Sequence, residues 1–247
     1  MRIPRIYFPN NCIIGEILVL NKDITHYIIH VLRMKKDNII ELFNGNNIVY
    51  QTKIIDLNKY NRIRLIVLYK IYKSKESHIK LHLAQLLLNT KKMEFIIQKS
   101  VELGVNTVTP IIPKDYNINK LNLLNTKIKR WQNIIINSCA QCGRNKIMKI
   151  KKPQPLIDWC SLLKEKNIKI FFSPYSNNNI NKLKKLSLIN EIYFLIGSES
   201  GISKEDNLVI NNYKFFNITL GPRILRVETA VISAVTILQT IFGDMGS

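Results

Sequence analysis

Two loops in the last fifty or so residues combine glycine with polar or charged side chains. The first covers residues 195–201 (LIGSESG) and the second residues 220–230 (LGPRILRVETA), and each follows an apolar, strand-like run. A glycine between a strand and a helix lets a ligand approach the backbone, and the N–H groups at the helix start can contact it. Neither loop has the spacing of a G-x-G-x-x-G motif or of a P-loop, which argues against a Rossmann dinucleotide site and against an NTPase. Both loops are therefore candidate walls of a ligand site of another kind.

Strands and helices alternate around these loops. Apolar runs predict buried strands at 79–88, 107–112, 169–172, 191–196 and 215–220. Helical spacing of apolar residues predicts helices at 91–103, 121–141, 156–166 and 227–242. Gly104 should end the first of these helices, and Ser203 with Asp206 should begin a further short helix. The alternation predicts a mainly parallel α/β sheet, and the apolar helix 227–242 should be buried in the core or in a homodimer interface.

The beginning of the chain has a different pattern. Short β-branched and aromatic runs, separated by turn signals such as residues 44–47 (NGNN), predict a small β-barrel up to about residue 72. The polar segment 73–77 lacks apolar periodicity and is predicted to be a linker. We therefore expect two domains, residues 1–72 and residues 73–247.

Charge, hydropathy and cysteine content indicate which partners and which metal or membrane sites to expect. The chain has 37 Lys+Arg against 17 Asp+Glu, a formal net charge of +20, which favours nucleic acid as a partner. No apolar run suits a signal peptide or a membrane span, so we expect a cytoplasmic protein without a membrane partner. The four cysteines are expected to be free thiols, and the isolated Cys139-x-x-Cys142 pair predicts no metal site.

Several motifs resemble a known family. The run 220–230 (LGPRILRVETA) is similar to the third signature of the knotted SPOUT methyltransferases, in the branch that methylates N3 of a uracil in small-subunit ribosomal RNA. Further similarities follow the family's order over nearly the whole chain, at 2–9 (RIPRIYFP), 30–34 (HVLRM), 92–105 (KMEFIIQKSVELGV), 141–145 (QCGRN) and 242–244 (FGD). The resemblance implies a PUA-like N-terminal β-barrel and a C-terminal α/β domain with a trefoil knot. It also implies S-adenosyl-L-methionine as cofactor, 16S rRNA as partner and an active site completed in a homodimer.

One motif departs from the family pattern. The second signature of the family is similar to Gly-Pro-Glu-Gly-Gly, whereas residues 197–201 here read Gly-Ser-Glu-Ser-Gly. Serine adopts positive φ less readily than glycine, so the departure predicts a changed loop conformation and a reduced cofactor affinity. The retained Gly197, Glu199 and Gly201 still favour an active enzyme.

The resemblance and the residue types together give a predicted site. The cofactor is expected to contact Ile196, Gly197, Gly201, Leu220, Gly221, Pro222, Ile224 and Leu225. Uracil N3 must lose a proton, so the base needs a nearby cation, which we expect to be Arg226. Glu199 or Glu228 should accept the proton or orient Arg226, although Glu228 could equally well serve only the dipole of its helix. RNA phosphates are expected to contact Arg2, Arg5, Arg33, Lys92, Arg144 and Arg223.

Two alternatives remain from the sequence. One is a related knotted methyltransferase that modifies a ribose 2′-OH or a transfer RNA. The other is a non-catalytic RNA-binding or ribosome-assembly factor that has kept the fold and lost activity through the altered glycine loop. Cofactor binding by the purified protein separates the second alternative from the enzymes.

Overall fold

The chain folds into two compact units that alternate along the sequence. A computed structural model describes residues 3–57, 62–114, 116, 121–186 and 189–246, and for residues 57 and 121–123 it describes the backbone alone. The first unit comprises Met1–Glu76 and Cys139–Ile147, and the second comprises Ser77–Ser138 and Met148–Ser247. The expected boundary after residue 72 falls where the last strand of the first unit ends. No sequence pattern indicated that residues 139–147 return to the first unit.

A five-stranded sheet forms the first unit. Its strands are β1 (Arg5–Tyr7), β2 (Ile17–Val19), β3 (Ile39–Phe43), β4 (Ile48–Leu57) and β5 (Ile63–Tyr72). They lie in the order β1-β3-β4-β5-β2, with β1 parallel to β3 and the remaining pairs antiparallel. Two register shifts between β4 and β5 mark irregularities of the bulge type, which bend strands. Alternate side chains of these strands, such as Ile40, Leu42, Ile63 and Leu65, form the core of this unit.

A short helical segment joins β2 to β3. Helix α1 (Lys22–His26) starts at Asn21, whose side chain accepts a hydrogen bond from the backbone N–H of Ile24. It continues into a π-helical turn, Tyr27–Val31. Arg33 follows at φ +52° and is exposed. The strand-rich pattern of the sequence did not indicate this segment.

The second unit contains a parallel sheet, as predicted. Its strands are β6 (Lys80–Leu86), β7 (Thr107–Ile112), β8 (Lys149–Ile150), β9 (Gln154–Pro155), β10 (Ile168–Phe172), β11 (Glu191–Ile196) and β12 (Phe216–Ile218). They lie in the order β12-β10-β11-β6-β7-β8, and β9 also pairs with β7. All of these pairings are parallel.

The helices of this unit begin and end close to the predicted residues. They are α2 (Thr90–Glu102), α3 (Leu121–Cys142), α4 (Leu156–Ser161), α5 (Lys204–Asn212) and α6 (Val227–Phe242), with a 3-10 helix at Ile180–Lys185. The Ser203 side chain accepts a hydrogen bond from the Asp206 N–H at 3.0 Å, as the capping pattern indicated. Helix α4 ends five residues before the predicted residue 166.

Helix α6 buries one face, including Val231, Val235 and Leu238, and packs against α2 and β11. Burial in the core therefore accounts for this face. Among the residues that the structure describes, no helix is both long and apolar enough to span a bilayer.

The parallel sheet positions the two glycine-containing loops. Carboxyl ends of parallel strands meet at one edge of the sheet, where ligands of α/β proteins usually bind. The first loop follows β11 and the second follows β12, and these strands are the two neighbours of β10. The segments after β10, β11 and β12 therefore share one edge.

Candidate active site

The second loop lines a cleft together with the residues that follow β10. The lining residues are Phe172, Ser173, Pro174, Thr219, Leu220, Gly221, Arg223, Leu225 and Ala230. Leu220, Gly221 and Leu225 were predicted as cofactor contacts, and they lie in one wall. The sequence interpretation missed the end of β10, although the carboxyl ends of parallel strands are where ligands of α/β proteins usually bind.

Gly221 leaves the backbone accessible in one wall of this cleft. Its φ is +114°, a conformation that other residues rarely adopt, and no atom lies within 4 Å of the position where a Cβ would be. A ligand can therefore approach the backbone there. Leu220, Leu225 and Phe172 provide apolar surface for a planar ring, while Thr219 donates a hydrogen bond to the Gly221 carbonyl at 3.0 Å and holds the turn. These residues fit a nucleoside cofactor.

The other predicted cofactor contacts lie outside the cleft lining. Ile224 is 77% exposed and Pro222 is also exposed. Ile196 is buried in β11, and Gly197 and Gly201 belong to the first loop. The structure thus brings part of the predicted set together in this cleft, among the residues it describes.

The first loop forms a tight turn. The Gly201 N–H donates to the Ser198 carbonyl at 3.1 Å, and the Ser198 hydroxyl donates back to the Gly201 carbonyl at 2.9 Å. The hydroxyl oxygens of Ser198 and Ser200 are 2.9 Å apart. Gly201 adopts φ +84°, whereas neither serine has a positive φ. The left-handed position of this loop is therefore occupied by the retained glycine, and the predicted reduction of cofactor affinity stays a prediction.

Gln85 anchors this loop to the sheet, a role that the sequence interpretation missed. The side chain is fully buried at the end of β6, and its Nε2 donates to the carbonyls of Gly197 at 3.1 Å and Leu86 at 3.0 Å. Its Oε1 is buried, and none of the described residues forms a hydrogen bond with it. A polar residue within the apolar second half of β6 was the available signal, because buried polar groups usually have a specific partner.

Lys92 brings the two predicted acidic residues together. Its ammonium group, in the first turn of α2, forms an ion pair with Glu199 of the first loop and lies 3.9 Å from Oε1 of Glu228 in α6. The other carboxylate oxygen of Glu228, Oε2, is buried and has no hydrogen-bond partner among the residues that the structure describes. Lys92 was expected to contact RNA phosphates, and the structure places its ammonium group beside two carboxylates.

Two predicted arginines, Arg223 and Arg226, lie between Glu199 and Glu228 in the sequence. Arg226 is exposed and occupies the position just before the first turn of α6, where its side chain makes no capping hydrogen bond. Arg223 was expected to bind RNA, but it lines the cleft beside Gly221 and Leu225. Arg223 therefore becomes a candidate contact for the cofactor.

Arg5 and Arg144, both expected to contact RNA phosphates, are buried and form ion pairs. Arg144 is 4% exposed and pairs with Glu76. The Arg5 side chain is 8% exposed, and its Nε lies 2.9 Å from a carboxylate oxygen of Glu41. These ion pairs hold both side chains in fixed positions within the first unit. Arg2 lies outside the described residues.

The four cysteines are free thiols, as predicted. Burial raises the pKa of Cys160 to about 12, so this thiol is neutral at physiological pH. Within the described ranges, no three metal-ligating side chains form a cluster.

Comparison with known proteins identifies the family. A family model described as an RNA methyltransferase domain matches residues 75–239, and one described as an RNA methyltransferase PUA domain matches residues 20–61. The ribosomal RNA small subunit methyltransferase E of Buchnera aphidicola subsp. Schizaphis graminum is 46% identical over 99% of this chain and 98% of its own length. The chain belongs to the ribosomal RNA small subunit methyltransferase E family.

Solved structures agree with this assignment. The ribosomal RNA small subunit methyltransferase E of Neisseria gonorrhoeae, bound to S-adenosyl methionine, has a TM-score of 0.88 and 29% identity, and covers 98% of this chain and 99% of its own. A methyltransferase of Legionella pneumophila with bound cofactor SAM has a TM-score of 0.89 and 33% identity, over 99% of this chain and 100% of its own. The fold class is therefore as predicted, an α/β SPOUT domain preceded by a PUA-like barrel.

Proposed function

We propose that this protein transfers a methyl group from S-adenosyl-L-methionine to N3 of a specific uridine in the 16S rRNA of the small ribosomal subunit. Membership of the ribosomal RNA small subunit methyltransferase E family already makes it an S-adenosylmethionine-dependent rRNA methyltransferase. The choice of uracil N3, the homodimer and the cytoplasmic location belong to the proposal. The single observation that carries it is the convergence of Glu199 and Glu228 on Lys92, where one buried oxygen of Glu228 has no hydrogen-bond partner in the described part of the chain.

The cleft after β10 and β12 would hold the cofactor. Leu220, Leu225 and Phe172 would enclose the adenine ring, and Gly221 would let the nucleoside approach the backbone. Arg223, in the same lining, would contact the carboxylate or the hydroxyl groups of the cofactor. When bound, S-adenosyl-L-methionine supplies a methyl group on a positively charged sulfur, which a nucleophilic nitrogen can accept.

The acidic pair supports a reaction at a nitrogen that carries a proton. Uracil N3 is a weak acid, so its proton must be accepted as the new bond forms. A buried carboxylate oxygen without a partner is costly, and an N–H donor would satisfy it. Glu228 Oε2 is such an oxygen, so we assign the role of proton acceptor to Glu228. Lys92 and Glu199 would hold that carboxylate in place, since both belong to the same ion-pair group.

Arg226 would supply the cation beside the base. Loss of the N3 proton spreads negative charge onto the neighbouring carbonyl oxygens of the uracil, and a guanidinium group stabilises that charge. Arg226 is exposed and lies two residues before Glu228, so a base that reaches Glu228 would also be near Arg226. The target base would have to leave its stack to reach these groups.

Mass spectrometry of rRNA nucleosides tests the proposal. Purified protein is incubated with deuterium-labelled S-adenosyl-L-methionine and small ribosomal subunits that lack the modification, and the nucleosides are then analysed. Labelled 3-methyluridine is the expected product. Labelled 2′-O-methyl nucleosides would instead identify a ribose methyltransferase. Cofactor binding without any transfer to small-subunit RNA would contradict the assigned substrate, and absence of cofactor binding would favour a non-catalytic factor.

A further inference from the structure

We propose that a cavity in the first unit, beside Gly143, binds a phosphodiester group of the RNA backbone. The cavity has a volume of about 230 Å³, and its lining includes Arg5, Lys73, Lys75, Gly143 and Asn145. All of these residues belong to the first unit. The inference deepens the proposed function, because it identifies where that unit would hold the rRNA substrate.

Two cationic groups meet at Gly143. If this glycine had a Cβ, the atom would lie 2.9 Å from Nζ of Lys75 and 3.1 Å from Nη1 of Arg5. Both distances start from the same Cβ position. The distance between the two nitrogen atoms therefore cannot exceed about 6 Å, the sum of the two. Like charges so close repel each other, and an anion between them would turn the repulsion into attraction. Gly143 makes the approach possible because it has no side chain and adopts φ +88°.

The surrounding contacts hold Arg5 rigidly. Its Nε lies 2.9 Å from Glu41, and its Nη2 donates to the side chain of Asn145 and to the Arg144 carbonyl. The Asn145 side chain in turn donates to the Lys73 carbonyl at 2.7 Å. A guanidinium fixed in this way loses little conformational entropy when an anion binds, which favours affinity.

The charge balance of the cavity points to an anion. Three cationic side chains, Arg5, Lys73 and Lys75, line it with one carboxylate, Glu41, which already pairs with Arg5. In the part of the chain that the structure describes, neither lysine pairs with a carboxylate, and both are exposed. The volume exceeds that of a phosphate group alone, so a phosphate within a nucleotide chain can enter. A phosphodiester of RNA meets these requirements of charge and size.

Replacement of Lys75 tests the site without disturbing the core, because this side chain is exposed. The matched control is Lys70→Gln, which removes one charge from another exposed lysine of the same unit, in β5. Binding of in vitro transcribed 16S rRNA to the full-length variants is measured over a range of salt concentrations. Lys75→Gln should weaken binding by about tenfold, the usual effect of losing one charged hydrogen bond. The slope of log K against log salt should become shallower by about 0.7–0.9, which corresponds to one phosphate contact.

The outcomes separate three possibilities. Loss of affinity and of salt slope in Lys75→Gln, with Lys70→Gln close to wild type, would support the site. Equal effects of the two substitutions would mean that only general charge matters and would overturn it. Inorganic phosphate is also titrated into the wild-type protein while the Gly143 amide is followed by NMR. Binding of phosphate there, combined with unchanged RNA binding of Lys75→Gln, would make the cavity a free-phosphate site and would overturn the RNA assignment. RNA binding is measured without methyl transfer, so a wrong target atom in the proposed function would leave these results unaffected.

Discussion

Arg144 and Glu76 form a buried, bidentate ion pair. Nε of Arg144 donates to one carboxylate oxygen at 2.9 Å and Nη2 donates to the other at 2.6 Å. The two side chains are 5% and 10% exposed. Arg144→Ala should therefore lower the free energy of unfolding by about 3–5 kcal/mol, because it leaves a buried carboxylate without its partner. Urea unfolding of the two proteins measures the difference.

Arg64→Ala is the matched control for this prediction. Arg64 also forms a two-pronged pair, with Asp56, but the two side chains are 39% and 40% exposed. Its guanidinium lowers the pKa of Asp56, and water screens much of that interaction. Its replacement should change the unfolding midpoint far less than Arg144→Ala does. A similar loss in both variants would mean that burial does not determine the strength of these pairs.

Gly221→Val should abolish binding of S-adenosyl-L-methionine. Valine cannot readily adopt φ +114°, so the wall of the cleft would have to rearrange. Gly221→Ala should cause a smaller loss, about tenfold, in line with the usual cost of such backbone strain. Isothermal titration calorimetry measures the affinity, and thermal unfolding checks that the variants remain folded. A folded Gly221→Val protein with wild-type affinity would remove this residue from the cofactor site.

Arg226→Ala should lower the single-turnover methylation rate by about 10²–10³-fold with little change in cofactor affinity, since the charge it stabilises develops only in the transition state. Arg226→Lys should recover part of the rate, because an ammonium group cannot reproduce the planar guanidinium. Arg223→Ala is the comparison. Because Arg223 lines the cleft, its replacement should mainly weaken cofactor binding. A near wild-type rate for Arg226→Ala at saturating RNA and cofactor would show that the catalytic cation is another residue.

Lys92→Met should lower the methylation rate by about 10²-fold, in the range of a lost general base, because Glu228 loses the charge that holds it. RNA affinity should stay close to wild type, in contrast to the effect of removing a phosphate contact. Lys92→Arg should restore part of the rate, since it keeps a cation between the carboxylates. Lys91→Met removes the neighbouring exposed lysine and serves as control. If Lys92→Met instead lowered RNA affinity and left the rate unchanged, Lys92 would be an RNA contact after all.

His82 should make stability depend on pH. Burial lowers the pKa of its imidazole below 6.5, and the ion-pairing partner Glu191, at 2.8 Å, opposes this shift only in part. The unfolded chain therefore binds a proton before the folded protein does. The stabilisation is present above about pH 6.5 and is lost as the pH falls through the lowered pKa of the folded state. His82→Asn should reduce this dependence, and urea midpoints measured between about pH 7.5 and 5 would show it. Parallel pH profiles for the two proteins would assign the dependence to other groups.

The sequence predicted those helices and strands whose signal lies in a short stretch of neighbouring residues. Apolar periodicity placed β10, β11, α2 and α6 to within a few residues, and a capping serine located the start of α5. Strands β1 and β2 have three residues each, and β8 and β9 have two, too few for periodicity to identify. Their position depends on pairing with distant strands.

Residue types were enough to predict which residues belong to the site, but they could not predict its geometry. Sequence reasoning selected Lys92, Glu199 and Glu228 separately, but their pairing joins α2, the first loop and α6, which are distant along the chain. For Arg5 and Arg144, too, the sequence could not distinguish an RNA contact from an ion pair within the protein. An arginine in a basic protein suggests an RNA contact, and only the folded chain reveals a carboxylate beside it.

The return of residues 139–147 to the first unit has a consequence for synthesis on the ribosome. Translation produces Glu76 and Arg5 long before it produces their partners Arg144 and Asn145. Until helix α3 has emerged, the nascent first unit contains charged groups that the finished protein buries in pairs. Late, long-range contacts of this kind slow folding and leave a partly folded intermediate exposed. The domain that begins the chain therefore cannot finish folding when only its own first segment has been made, and its last step waits for the translation of more than half of the message.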